Sequence, residues 1–516
     1  MAFLEPFQIF FTSIGGMITN PVTMLILFGS VMMGIIFGAT PGLTATLGVA
    51  LLTTLTYGMD VSTAMVALMG IYVGGVYGGS YTAIIVNIPG TAASAATALD
   101  GYPLALKGQA GRALGLTTTS SAIGTIIGMV FVVLLSPVIS ALALEFTSFE
   151  FFLLAFFGIV ISGTLTSQDM VAKGWIAGLI GLWFSTIGRD SLQFFPRFTF
   201  GLSDLEGGLD LVPVLIGAFG IPQIIQTIRD NFQIKETQKF KKILPEFGTM
   251  VKNVPAILRS SLIGVGIGSV PGIGEDIAGW VSYGAAKKAS KHPEEFGKGS
   301  IEAVISTETA NNSCIGGAMI PLLNLGIPGS PPAAMLLGAF MLHGIQPGPM
   351  LSIDRPTFVL EITAILLLAS IAMWVSGILL AKQVVKVLRI PTSLFMPVIA
   401  VLCVIGSYAL GMRIFNLYLM LPIGIIAYFL TAMKYPIAPL IIGVILGDMA
   451  DQNLRRALMV SKGSFLPVLT RPVSLILFLI ILLLILGQIP AIQKLQNKIK
   501  LNVRSFFKKK VKETEA

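Results

Sequence analysis

Charge is what this sequence lacks most. Only 11% of its 516 residues are Asp, Glu, Lys or Arg, against roughly a quarter in an average soluble domain. Histidine and cysteine occur twice each. Cys314 and Cys403 lie far apart in helical stretches without metal-ligand company, which excludes a disulfide framework and the usual Cys/His metal sites. No Lys or Arg precedes Lys107, so the start of the chain has no basic n-region of a cleaved signal peptide and its first apolar segment is expected to be retained. No Walker motif is present, which argues against an ATP-driven pump. The net charge of +9 comes from basic residues clustered in loops between apolar runs, not from a face suited to nucleic acid.

What is abundant is apolar. The chain is 54% hydrophobic with a mean hydropathy of +0.86, more than a soluble core of this length can bury, so it reads as an all-α polytopic membrane protein. Its 56 glycines and 28 prolines suit helices that pack closely or break within a bilayer. Apolar runs able to cross appear at 62–86, 113–138, 150–162 (extended back through Ala141), 172–188 and 209–227, and again at 300–325, 357–381, 392–410, 415–433 and 472–488. The stretch 434–471 receives no assignment. Two pairs of runs are too short: 24–38 and 43–56 flank Thr40-Pro41-Gly42, and 256–270 and 273–286 flank Pro271-Gly272. A helix of about 15 residues covers only ~22 Å of a ~30 Å hydrocarbon core, so each pair is expected to be a hairpin that enters the membrane and returns.

The two hairpins share a pattern. GIIFGATPGL (34–43) lies over GVGIGSVPGI (264–273) at a constant offset of 230. A second pair follows in the same order: VYGGSYTAIIVNIPGT (76–91) and CIGGAMIPLLNLGIPGS (314–330), aligned with one inserted residue. This predicts an internal duplication, with a first membrane repeat over 1–228, a basic linker over 229–255, a second repeat over 256–470, a final helix over 471–490 and a basic tail over 491–516. Arg229, Lys235, Lys239, Lys241, Lys242, Lys252 and Arg259 in the linker, and Lys494 to Lys510 in the tail, place both in the cytoplasm by the positive-inside rule. Lys287, Lys288, Lys291 and Lys298 follow the second hairpin, and no basic residue lies near the first. The halves are therefore expected to be inverted. Arg455, Arg456 and Lys462 fit this orientation less well.

Inverted repeats with broken helices are a secondary-transporter signature: unwound backbone frees carbonyls for a cation, and helix N-termini face an anion near the midplane. Four breaks qualify, at Thr40-Pro41-Gly42, Ile88 to Thr91, Val270 to Gly272 and Ile327 to Ser330. Asn87, Gly90, Thr91, Ser94, Gly329 and Ser330 are candidate substrate contacts; helix capping is the simpler role for Thr91 and Ser330. The run STETANNS (306–313) is the most polar inside any span. Glu308 at its centre costs about 2.5–3.5 kcal/mol in lipid on insertion scales unless it meets a cavity or a partner. Asn311, Asn312 and Ser313 supply uncharged polar groups for a carboxylate or a sodium shell; interhelical hydrogen bonding is their simpler role. Thr40, Pro41, Gly42, Pro271, Gly272, Thr307 and Glu308 are candidate cation ligands. Glu275 and Asp276, just past the second hairpin tip, either join that set or cap a helix. An intramembrane hydrolase using Glu275 and Asp276 is the competing class, but it needs two opposed carboxylates. His292 is expected to be solvated and His343 structural.

GATPGLTATLGVALLTTLTYGMD, YGGSYTAIIVNIPGTAASAATALDGYPLALKGQAGRALG, and SVPGIGEDIAGWVSYGAAKK through NLGIPGSPPAAMLLGAFMLHGIQPGP resemble the large membrane subunit of the tripartite tricarboxylate transporters, over nearly the whole chain. The resemblance implies a permease of about twelve helices in the bacterial inner membrane, multi-pass with a cytoplasmic C-terminus. It implies two partners, a small four-helix membrane subunit and a periplasmic solute-binding protein. It further implies uptake of citrate or another small organic carboxylate driven by a cation gradient, commonly Na+. From the hairpins and breaks, the expected mechanism is elevator-like movement of the hairpin-bearing part against a scaffold, with Na+ or H+ as coupling ion and no other cofactor.

Overall fold

The computed structural model describes residues 5–488 except 168, 231–242, 244–246, 389, 392–393 and 410–411. Lys235, Lys239, Lys241, Lys242 and the basic tail lie outside the described residues. Among those described, the chain is helical but for one short antiparallel ribbon, β1 (Gly188–Arg189) with β2 (Pro196–Arg197). Eight helices have the length and apolarity to cross a membrane, and seven more apolar helices are shorter. The protein is thus a polytopic helical membrane protein.

Three of the four runs form short helices beside tight breaks, but the first, Pro21–Ala39, is 19 residues long and apolar enough to cross a membrane by itself, so the expectation that it is too short to span is not met. Helix α1 (Glu5–Thr19) comes first, and the first hairpin is α2 (Pro21–Ala39) and α3 (Ala45–Leu55), started by the Asn20 and Thr44 side chains as N-caps. Gly42 turns its tip at φ 90°, and Gly272 turns the second tip at φ 74°, a region that favours glycine. Next come α4 (Val61–Val86), α5 (Ala95–Leu104) and α6 (Ala110–Leu144). Helix α7 (Ser148–Thr166) does not extend back through Ala141, because Thr147 and Glu150 form a capping box that starts it afresh. Helix α8 (Val171–Ser185) leads through the ribbon loop to α9 (Leu211–Leu215), which runs through a π-type turn at 216–220 into α10 (Ile221–Asp230). The second half brings α11 (Phe247–Lys252), then the second hairpin, α12 (Val254–Gly268) and α13 (Glu275–Ala289), then α14 (Ile301–Leu325), α15 (Pro331–Leu342), α16 (Leu351–Asp354) and α17 (Phe358–Leu379). It closes with α18 (Ala381–Val387), α19 (Phe395–Ala409), α20 (Phe415–Ala432), α21 (Ile437–Val460), α22 (Leu466–Thr470) and α23 (Pro472–Leu486). Helix α21 occupies the stretch left unassigned from sequence; Asp448, Asp451, Arg455 and Arg456 interrupt its apolar pattern and hide a helix that is membrane-length.

The hairpin-bearing helices form a first body, and the helices around it form a second, composite one in two parts. One part is α7, α8, α21 and α23; the other is α9, α10, α19 and α20, packed on α3 and α15 of the first body. The hairpins pack on α4 and α14, which join α5, α6, α15 and α17 in the first body. In the second, α21 packs on α7 and α8, α20 on α9 and α10, and α23 on α7. The ends of the molecule can be told apart by their polar ties. At one end Arg455 pairs with Asp190, Arg197 with Asp451 at 2.9 Å and Arg413 with Asp204 at 2.9 Å; this is the ribbon-loop end. At the other, Lys107 Nζ donates to the Lys298 carbonyl at 2.6 Å and Lys434 pairs with Asp169 at 3.2 Å; this is the lysine end. Arg455 therefore lies at the ribbon-loop end beside two acids that neutralise it. The Arg455 guanidinium holds the Asp190 carboxyl at about 2, well below the usual carboxylate range.

Inside the first body, backbone meets backbone. A Cβ on Gly90 would strike the Gly38 carbonyl, and one on Gly329 would strike the Gly268 carbonyl. Gly78 stands against the Ile35 carbonyl as Gly317 stands, at 2.5 Å for its Cβ, against that of Val265. The contacts of α4 and α14 therefore correspond at a constant offset of 239, and the inserted residue of the sequence alignment is not needed. A substitution Gly329→Ala is expected to abolish recovery of folded, monodisperse protein in detergent. Gly284→Ala, where a Cβ meets nothing within 4 Å, is expected to leave the yield and melting midpoint unchanged.

Candidate functional site

The broken helices cross over between halves. Helix α13 packs on α5 and on the turn that follows the first Ile-Pro-Gly break, while α15 packs on α3. The second hairpin tip interlocks with the second break: the Gly272 amide donates to the Pro328 carbonyl at 3.3 Å and the Gly274 amide to the Gly329 carbonyl at 3.2 Å.

Glu308 lies at the centre of α14 and is fully buried. Its Oε1 accepts from Ser80 of α4 at 2.6 Å and from Thr97 of α5 at 2.5 Å, and its Oε2 accepts from Ser121 of α6 at 2.8 Å. Hydrogen bonds to a charged group contribute roughly 1.5–3 kcal/mol each, so three of them offset a buried ion's desolvation cost of several kcal/mol. The ion pairs among the described residues lie elsewhere, as at Arg259 with Glu302 and Arg471 with Glu150. Glu308 thus keeps hydroxyl partners and no counter-charge. Asn311 donates to the Ala93 carbonyl at 3.2 Å, tying the polar run to the first break. Asn312 donates to Asn311 Oδ1 at 2.6 Å and to the Glu308 carbonyl, leaving its own Oδ1 buried without a partner, as is Thr91 Oγ1. Ser94 donates to the Thr91 carbonyl at 2.9 Å. Thr307 and Ser313 donate chiefly to carbonyls of their own helix.

A second cluster sits where the halves meet. Tyr72 of α4 donates to Glu275 and pairs with Ser330 Oγ at 2.8 Å, and Ser330 also caps α15. Glu275 is buried, but Asp276 beside it is exposed. Two carboxylates on consecutive positions of one helix, one turned inward and one outward, cannot oppose each other, and the hydrolase arrangement is absent. Gly274 holds the N-cap position, and Glu275 and Asp276 fall in the first turn of α13, where carboxylates interact favourably with the helix dipole.

Other candidates separate from these clusters. Asn87 closes α4 in a left-handed conformation. Thr40 bonds back to the Ile36 carbonyl at 2.7 Å. The Gly42 carbonyl accepts from Thr227 of α10 at 3.2 Å, so the first tip faces the second body. Among the described residues no hydrogen bond joins Thr40, Pro41 or Gly42 to Glu275 or Glu308. His292 is exposed, and His343 lies 3.3 Å from the Thr56 hydroxyl.

Sequence reasoning missed Thr97 and Ser121 at Glu308. Ser121 ends the run TTTSS (117–121), a polar stretch inside an apolar span that parallels STETANNS and was the available signal. It also missed Asp100. This buried carboxylate accepts from the amides of Gly297, Gly299 and Ser300 at 2.7–3.0 Å and from Tyr283 at 3.0 Å, holding the start of α14 against α5.

A family model described as "Tripartite tricarboxylate transporter TctA family" matches residues 24–442. An "Uncharacterized 52.8 kDa protein in TAR-I ttuC' 3'region" of Agrobacterium vitis is 33% identical over 486 residues, 93% of this chain and 96% of that protein. An "Uncharacterized protein in TAR-II ttuC' 3'region" of the same species is 35% identical over 234 residues, 45% of this chain and 97% of that protein. No solved structure matches.

Asp100→Ala would strand three backbone amides. At about 1–3 kcal/mol for each buried unpaired donor, the expected outcome is a lowered melting midpoint and faster proteolysis within residues 290–300, measured on detergent-solubilised protein.

Proposed function

From the premise that the chain belongs to the TctA family of tripartite tricarboxylate transporters, we propose that it is the permease that admits a small organic carboxylate, citrate or a related acid, together with Na+ or H+. The family is one of transporters working with other subunits, so the chain is not an enzyme. The partners in this reading are a small four-helix membrane subunit and a periplasmic solute-binding protein, the site is the bacterial inner membrane, and the C-terminus is cytoplasmic. The halves act as inverted repeats of a twelve-helix fold, a reading supported by the matched crossings of Gly38 with Gly90 and Gly268 with Gly329. The first body moves, elevator-like, against the second.

The observation that carries the reading is Glu308, buried among hydroxyls with no basic side chain paired to it among the described residues. A carboxylate substrate arriving at the Gly90-Thr91 and Gly329-Ser330 helix ends meets that negative charge. At ~6 Å and an effective dielectric of about 20 the repulsion is about 3 kcal/mol, roughly a hundredfold in affinity. A cation held by Glu308, the Asn312 Oδ1 and the Thr91 hydroxyl removes the repulsion, so cation and substrate bind together and neither travels well alone. Both oxygens are buried without a hydrogen-bond partner, as are Ser306 Oγ and Thr309 Oγ1 of the same polar run. The Thr40–Gly42 and Pro271–Gly272 breaks serve in this reading as hinges of the hairpins and as further carbonyl donors.

In proteoliposomes given the matched binding protein and small subunit, Glu308→Gln is expected to cut gradient-driven carboxylate accumulation at least tenfold while exchange of internal for external carboxylate persists. Accumulation equal to that of the parent would remove Glu308 from the coupling site. Asn311→Ala and Thr91→Ala are each expected to weaken substrate affinity, and unchanged uptake and affinity in both would overturn the substrate assignment.

A further inference from the structure

The two hairpin tips touch the second body at the same end of the molecule. The first tip, at Gly42, meets Thr227 in the last turn of α10. The second tip, at Gly272, meets Ile442 in the second turn of α21, with Pro271 against Gly158 of α7. The start of α9 and the end of α21 both lie at the ribbon-loop end, through Asp210 near Arg413 and Arg455 with Asp190. The end of α10 and the start of α21 are therefore both at the lysine end, and both tips sit low on the second body.

The two contacted helices are themselves alike. VPVLIG (212–217) lies over APLIIG (438–443), aligning Pro213 with Pro439 and Gly217 with Gly443. Each of these glycines presses on a carbonyl of a neighbouring helix, Gly217 on Met420 of α20 and Gly443 on Gly178 of α8. In that register Thr227 corresponds to Gln452 or Asn453 (the π-type turn accounts for the ambiguity), and Ile442 corresponds to Ile216. The first tip thus occupies one position on its helix and the second tip a different one on its counterpart, ten or eleven residues away.

We propose that the face of α21 from Val444 to Asn453 is a second berth for the Pro271–Ile273 tip of this same chain, entered when the hairpin-bearing body shifts toward the ribbon-loop end. This rests on the transporter reading above and gives its movement a length. Ten or eleven residues at 1.5 Å rise is roughly 15 Å. In the shifted state the second tip would stand against Gln452–Asn453 and the first against Ile216, the exchange of roles that two matched halves require.

Two further observations fit the berth. A cavity of ≈610 Å³ lies along that track, lined on α21 by Val444, Ile445, Asp448, Met449, Gln452 and Asn453 and on the other side by Leu337 and Met341 of α15. The hairpins are also unequally covered. Residues 45–54 of α3 are all buried, with Leu47 against Gly220 and Thr54 against Gly406. On α13 the stripe of Asp276, Trp280, Gly284 and Lys287 is exposed. A shift toward the ribbon-loop end would uncover the first stretch and cover the second.

The test uses full-length protein in native membranes, with Cys314 and Cys403 replaced. A Cβ on Gly158 lies 3.4 Å from Pro271 Cβ, near the separation a disulfide spans, so Gly158→Cys with Pro271→Cys is expected to cross-link in the present state. Pro271→Cys with Asn453→Cys is expected to cross-link during turnover, each bond stopping uptake until it is reduced. A reduced Pro271→Cys/Asn453→Cys pair that takes up carboxylate but never cross-links overturns the berth. If the Pro271 substitutions themselves abolish uptake, spin labels at the exposed positions Trp280 and Met459 decide. A second distance shorter by roughly 10–15 Å during turnover supports the shift, and a single unchanging distance overturns it. Uptake with no shift rejects the berth and leaves transport standing; a shift with no uptake of any carboxylate rejects the transport reading and leaves the berth.

Discussion

The structure depends on two places where backbones pass without side chains between them. At Gly38 with Gly90, and at Gly268 with Gly329, the hairpin and the broken helix approach until a carbonyl occupies the space a Cβ would fill. In lipid, where apolar side chains gain little from meeting one another, close approach of small residues is the main source of helix association. These crossings fix where each break falls, and hence where each helix that follows begins. Ser330 can reach Tyr72, and Asn311 can reach Ala93, only because the breaks are pinned at that depth.

Polar groups then accumulate where the crossings leave them. A bilayer interior offers no water to satisfy broken backbone, so irregular segments persist only when buried in protein or lining a cavity. The second tip meets this by donating its Gly272 and Gly274 amides to the second break. The first tip is satisfied differently, by Thr227 from the other body. That difference ties one hairpin to its own half and the other to the surface against which it would slide.

Much of the fold was legible in the sequence because its signals are backbone signals. Pro-Gly spacing placed both breaks, and positions such as Gly34 and Gly264 aligned at one offset, but run length misjudged the helix before the first break, which starts at Pro21 and is long enough to span. The register of the second pair was misjudged by one residue, since matching Gly-Gly to Gly-Gly uses composition where packing uses contact. Helix α21 was missed for the opposite reason: its acids and arginines are real helix residues paired with the ribbon loop, and hydropathy cannot see a partner. At the candidate site, Glu308 stood out because a lone carboxylate in an apolar span is costly. Thr97, Ser121 and Asp100 did not stand out, because hydroxyls are common in membrane helices and a carboxylate near a loop reads as solvated. The importance of Thr97 and Ser121 comes from the convergence of α4, α5, α6 and α14 on Glu308, and that of Asp100 from the turn 297–300 folding back onto α5.

That convergence bears on how a moving body could carry charge. The helices that meet at Glu308 all belong to the first body, so in the proposed movement the carboxylate would travel with that body and not across it. Uncompensated, it would add an anion to an anionic cargo, and a shift of roughly 15 Å through low dielectric would carry both. In the proposed reading a bound cation would cancel one charge and meet the Asn312 Oδ1 and Thr91 Oγ1 oxygens, which have no hydrogen-bond partner. The same ion would then lower both the barrier to binding and the barrier to the proposed movement. A site built of hydroxyls and amides, without Arg or Lys, keeps that neutralisation conditional on the ion; a fixed cation would neutralise Glu308 permanently and uncouple the two.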